Sequence, residues 1–209
     1  MTKTIFKNNF KSYLTVILLG LFAGLLVAFF SGLPADDLWG FSYFSSNTFG
    51  FWMFSVSTIV LLSEKKLTAC LNSGIYVFLM FFVTGVYKSV RNYMVNSLIF
   101  ESQAEHLAMY GFTHIGQWIL QCALNAFLYS IEPALVCAVL AFVLHFGRKP
   151  NVIGKILMIL PAVYIFGETV IMYIIVFSKS TMLFMAIVDT LCLVAYLMIF
   201  GKYIIKKKA

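Results

Sequence analysis

Long apolar runs, separated by short polar and mostly basic segments, dominate the chain. A helix rising 1.5 Å per residue needs about 20 residues to cross the hydrocarbon core of a bilayer. Six stretches meet that length: Tyr13–Leu33, Ser42–Leu62, Leu67–Tyr87, Trp118–Phe146, Ile156–Ser178 and Thr181–Gly201. None has the apolar/polar alternation of a membrane barrel, and lone strands would leave backbone groups unpaired in lipid, so the runs predict helices. The expected fold class is therefore all-α: a single polytopic membrane helix bundle over residues 1–209. The second run is the weakest, because Ser45-Ser46-Asn47-Thr48 is too polar to face lipid. Either that span is short, or its outer half lines protein or water. The segment from Lys88 to Phe112 extends the third helix or lies along the interface.

Composition agrees with lipid as the solvent. The 209 residues are 62% hydrophobic and 11% charged, against about 25% charged in a soluble domain. A net charge of +7 raises the question of a nucleic-acid partner. The basic residues, however, flank apolar runs instead of forming a patch with interleaved aromatics, which orients a membrane protein and grips no phosphate backbone. With the N-terminus inside, Lys3, Lys7, Lys11, Lys65, Lys66, Arg148, Lys149, Lys155, Lys202, Lys206, Lys207 and Lys208 all fall on the cytoplasmic side. Only Lys88, Arg91 and Lys179 fall outside, so the positive-inside bias predicts both termini in the cytoplasm. The first run exceeds the apolar core of a signal peptide, about 7–15 residues, and is expected to be a retained span.

Small residues recur every fourth position along the first span, at Gly20, Gly24, Ala28 and Gly32. Such a stripe allows close helix–helix approach, within the chain or against a partner. Trp39 and Trp118 lie at the outer boundary, where amphipathic rings settle. Cys70, Cys122, Cys137 and Cys192 are scattered singly in apolar runs, without the spacing of a zinc site or a disulfide framework.

Glu132, Glu168 and Asp189 fall well inside the fourth, fifth and sixth spans. Counted from the outer turn at Lys179-Ser180, Glu168 and Asp189 lie roughly 17 and 14 Å deep, near the midplane of a core about 30 Å thick. Glu132 reaches the same level from the inner end of its span. No Lys or Arg is at that depth, so the three carboxyls share protons or a bound cation, or find hydrogen bonds within the bundle. An acid inside a membrane span is a functional hypothesis by default. His114, Gln121, Asn125 and Glu132 fall in a stripe about 40° wide at 100° per residue, running from the outer edge to the midplane. Pro133 interrupts the backbone beside Glu132, as broken helices do at transporter sites. Tyr164, one turn before Glu168, is placed to hydrogen-bond it, with Pro161 preceding that turn. The bland alternative is that these polar groups are interhelical glue, worth about 0.6 kcal/mol each.

The motifs His-Glu-x-x-His, Gly-x-Ser-x-Gly and the P-loop are all absent. Glu101, Glu105 and His106 have a helical spacing that would suit a metal, but a solvated helix face explains them better, and neither a metal nor a cofactor is expected. The segments Leu38-Trp39-Gly40-Phe41-Ser42 and Phe49-Gly50-Phe51-Trp52 resemble a family of small bacterial multi-span membrane proteins that has no assigned activity. That likeness covers about the first 90 residues and implies a bacterial plasma membrane, but assigns no role to any residue. Similarity to permease subunits of ATP-driven transporters stops at size and span count. The expected function is transport of a small solute or ion, alone or with a membrane-protein or ATPase partner. An accessory protein docking through the small-residue stripe, and an intramembrane enzyme, are the alternatives.

Overall fold

The computed structural model describes residues 4–33, 38–44, 49–97, 107–109 and 111–205. Ser45–Thr48, Glu101, Glu105 and His106 lie outside them. Among the described residues six α-helices carry the fold: α1 (Phe10–Ser31), α2 (Phe49–Leu62), α3 (Lys66–Ser97), α4 (Ile115–Leu144), α5 (Val152–Lys179) and α6 (Leu183–Ile205). No strand forms among the described residues; the one isolated bridge joins Phe6 to Ser63. Among the described residues five helices, all but α2, are long and apolar enough to cross a membrane. The exception is the run whose polar outer half was in question. Its described helix has 14 residues, about 21 Å at 1.5 Å per residue, and covers only part of the core. The third helix, by contrast, runs ten residues past Tyr87 to Ser97.

In α1 the hydrophobic side chains do not choose the buried face, because the helix is apolar all round. Size chooses it instead. Ala23 is 4% exposed, while Phe22 and Leu25 are 65% and 59% exposed. The small side of the helix lies on α3, where a Cβ at Gly20 would stand 3.0 Å from the Tyr76 carbonyl oxygen. At Gly24 the corresponding approach is 2.8 Å to Val83 Cβ and 2.9 Å to the Met80 carbonyl oxygen. Ala28 is buried in the same face, and Gly32 abuts the Tyr87 hydroxyl. Backbones this close gain dispersion contacts that larger residues would prevent, which is the main driving force for helix association where the surrounding solvent is itself hydrocarbon.

The remaining contacts make two layers. α3 lies along both α1 and α4, α5 lies along α6, and the short α2 is wedged between α3, α5 and α6. Asn9 and Asn151 cap α1 and α5, their side chains accepting from the Ser12 and Gly154 N–H groups, so orphan donors are satisfied where the chain re-enters the bundle. Ser180 ends α5 in a left-handed conformation, and Met182 also has positive φ, making the tight turn into α6.

Loops close both ends of the bundle. On the side of the α5–α6 turn, the Leu38 and Trp39 carbonyls accept from the N–H groups of Leu183 and Phe184 at 3.0 and 3.1 Å. These donors open α6 and have no partner within the helix. Gly40 takes φ 56° there, and a side chain would meet Met182 N at 2.8 Å. Phe30, Phe41 and Phe44 gather round Phe184, the nearest pair of centroids 4.4 Å apart. At the other end, the Arg148 guanidinium donates to the Ser63 and Glu64 carbonyls and the Thr4 hydroxyl, tying three separate chain segments together.

Candidate functional site: a carboxyl pair at the start of a short helix

The first described residues of α2, Phe49 and Gly50, place their N–H groups toward α5 and α6. Helix termini buried without partners are costly, so something must face them. Glu168 does. Its carboxyl accepts from the backbone N–H groups of Phe49 and Gly50. Asp189 approaches the same turn from α6, close enough that a Cβ on Gly50 would come within 2.8 Å of its Cγ. The two acids are electrostatic neighbours, and neither has a cationic partner among the described residues.

Burial separates the roles of the pair. Asp189 is 0% exposed, and neither of its carboxyl oxygens has a hydrogen-bond partner among the described residues. Glu168 is 9% exposed, and its Oε2 is likewise unpartnered. Glu168 borders a cleft of about 400 Å³, also lined by Phe49, Tyr164, Gly167 and Ile171, whereas Asp189 lies behind it. The arrangement is a carboxyl pair at the positive end of a half-length helix, one member open to a cleft and the other sealed. The helix dipole favours negative charge on the pair, while low dielectric and mutual repulsion oppose two charges at once. A single shared proton or one bound cation reconciles these demands.

Glu132 does not join them. It is exposed on α4, on the face opposite buried Ala126, Ser130 and Ala134, and α4 packs along α3 instead of α6. The three acids share a level in the chain count, but helix packing brings only two of them together. His114 caps α4, its Nδ1 accepting from the Gln117 N–H at 3.3 Å. Gln121 donates to Asn125 at 3.0 Å along the exposed face. Asn125 also borders a separate cleft of about 320 Å³ with Thr84, Lys88, Ser89 and Tyr129, on the α3–α4 side. The stripe therefore does not lead to the carboxyl pair. Tyr164 stands at the rim of the Glu168 cleft, half-exposed, without a hydrogen bond to Glu168 among the described residues.

Reading side chains alone missed the backbone half of this site, the Phe49 and Gly50 N–H groups. The available signal was the polar Ser45–Thr48 run followed by Phe49-Gly50, which marked this span as unlike the others. The chain is, in class, an all-helical protein built from membrane-length apolar helices. Compared with protein-family models, curated proteins and solved structures, it matches none.

Proposed function

We propose that the chain is a six-span membrane protein with both termini in the cytoplasm that moves a small solute or ion across a bacterial plasma membrane, alone or as the membrane subunit of a larger transporter. α2 lies in the sixth crossing. The Glu168–Asp189 pair is the coupling site. One observation carries this reading: Asp189 is fully buried, with neither oxygen partnered among the described residues, beside a second acid and against Gly50 of α2. Unsatisfied buried carboxyls are too costly to be retained as packing. Half-helix termini near the midplane are where transporters hold ions and substrates. Glu168, facing its cleft, exchanges the proton or cation, and Asp189 sets the charge that it must balance.

The test is flux into proteoliposomes, followed with pH-sensitive and Na⁺- and K⁺-sensitive dyes. The wild-type protein carries a pH-dependent flux that Glu168→Gln and Asp189→Asn each abolish, while both variants keep wild-type expression. Wild-type flux in the two neutralised proteins overturns the reading.

An accessory role rests on a different observation, the exposed Gln121, Asn125 and Glu132 on the outer face of α4. Polar groups in that position suit contact with another membrane protein. Glu132→Leu would then release a co-purifying partner without altering flux. The small-residue stripe serves such a role poorly, since Gly20 and Gly24 are already packed on α3.

A further inference from the structure

Residues spaced by four share one face of a helix, and on α5 that spacing puts Tyr164, Glu168 and Met172 in line. With Gly167, Ile171 and Phe49 of α2 they wall the cleft of about 400 Å³ beside the carboxyl pair. Its size suits a small molecule, whose sites usually span about 300–1,000 Å³. Among the described residues Glu168 is the one charged group in that wall, and Tyr164 the one other polar side chain. Phe49 and Tyr164 are both half-exposed, and Ile171 is exposed on the outside of α5. An apolar body therefore reaches the acid from hydrocarbon.

The atoms on offer decide which cation suits such a cleft. A small inorganic cation is held by direct contact with a shell of several oxygens. Here Glu168 already accepts from the Phe49 and Gly50 N–H groups, and its Oε2, though unpartnered among the described residues, is itself buried. Besides that carboxyl, the described walls offer one side-chain hydroxyl, so a bare metal ion finds no shell. A bulky organic cation needs none. Its charge is spread over many atoms, and in a low dielectric a carboxylate attracts it without touching it. Aromatic walls strengthen the attraction, by about twofold to thirtyfold in affinity. The charge of the pair fits as well. Two buried carboxyls holding one proton keep a single negative charge, which the start of α2 favours. Either an organic cation or a second proton neutralises it.

We propose that the Glu168 cleft binds a hydrophobic organic cation, such as a quaternary ammonium, a phosphonium or a protonated amine on an apolar body, in competition with a proton. That this cation is the solute carried rests on the transport reading above, whereas its binding does not. The titratable groups within electrostatic reach of Glu168 are Tyr164 on its own helix and Asp189 and Cys192 on α6. No described residue of α2 titrates.

Tetraphenylphosphonium is the probe, measured by equilibrium dialysis of the radiolabelled ion against the purified protein in a non-ionic detergent. Binding should saturate, weaken on acidification and resist excess Na⁺. Glu168→Gln should weaken it by at least about tenfold. Tyr164→Leu should weaken it several-fold, whereas Tyr164→Phe keeps the ring and binds as the wild type does. A Cβ at Gly167 meets nothing within 4 Å, so Gly167→Leu takes up cleft space without disturbing its neighbours and should also weaken binding. Absence of saturable binding overturns the proposal, as does binding that Na⁺ displaces, that acid leaves unchanged or that survives Glu168→Gln. If Glu168→Gln fails to fold, the other variants decide, and unchanged binding in both Gly167→Leu and Tyr164→Leu overturns it. Proton or Na⁺ flux from a protein that does not bind the probe leaves the transport reading standing and sinks this one. Glu168-dependent binding without any flux keeps the site and sinks the transport reading.

Discussion

Gly50 and Asp189 are in direct contact across the α2–α6 interface, with no room for even a methyl group: a Cβ on Gly50 would stand 2.8 Å from Asp189 Cγ. The missing side chain is what lets a carboxyl reach the first turn of a helix. Gly50→Ala is therefore expected to destabilise the protein by about 1–3 kcal/mol, the usual cost of overpacking. Asp189→Ala removes the obstructing carboxyl, so Gly50→Ala should cost much less in that background. Thermal unfolding of the four proteins in detergent gives the cycle, and additive effects would show that the two residues do not meet.

Asp189→Asn should behave unlike an ordinary core substitution. Asparagine is nearly the same size but carries no charge to desolvate. An uncompensated buried charge costs far more to desolvate than a neutral amide, so the substitution should leave stability unchanged or raise it. An unchanged or raised melting temperature together with lost flux marks a residue retained for function. A fall comparable with a core truncation would make the acid a structural cap.

The α1–α3 contact predicts opposite fates for two glycines. Gly24→Leu drives a side chain into Met80 and Val83, and should cost several kcal/mol and most of the folded yield, since neither neighbour can move without shifting the helix backbone. A Cβ at Gly167 meets nothing within 4 Å, so Gly167→Leu should leave yield and melting temperature near wild type. Fluorescence-detected size-exclusion chromatography compares the two directly.

Arg148 binds two carbonyls and the Thr4 hydroxyl through one planar fork. Arg148→Lys keeps the charge and loses the geometry. It should therefore destabilise nearly as much as Arg148→Gln, by about 1–3 kcal/mol. Limited proteolysis near the N-terminus should quicken in both variants, and full rescue by lysine would reduce the role of Arg148 to charge alone.

The proposed topology is open to labelling. In a background with the four native cysteines replaced by alanine, a membrane-impermeant maleimide added to intact cells should label Lys179→Cys and spare Lys149→Cys. Labelling of Lys149→Cys from outside would reverse the orientation.

Much of the bundle was legible in the sequence, because the bilayer imposes one strong rule, about 20 apolar residues per crossing. That rule located five membrane-length helices, four of them to within a few residues, while the third runs ten residues beyond Tyr87. It also marked the second run as different, since Ser45–Thr48 interrupts it. The rule says nothing about rotation of a helix about its own axis, and rotation decided the site. Glu132, Glu168 and Asp189 count to similar depths along their spans, yet α4 turns Glu132 outward while α5 and α6 turn the other two onto α2. Hydropathy cannot reveal that rotation in a chain as apolar on its lipid face as in its core.

The sequence by itself determined the features governed by transfer between water and hydrocarbon: where the helices run, where the basic residues gather, and which acids are too deep to be ordinary. Only the tertiary structure decided the features governed by shape. It closed α1 on α3 through glycines, set Asp189 in the space left by Gly50, and splayed α4 from α5 to leave an apolar cleft. The physical reason is the same in each case. Inside a bilayer the solvent no longer distinguishes one apolar face from another, so fit between side chains, and the few buried polar groups that need partners, choose the neighbours.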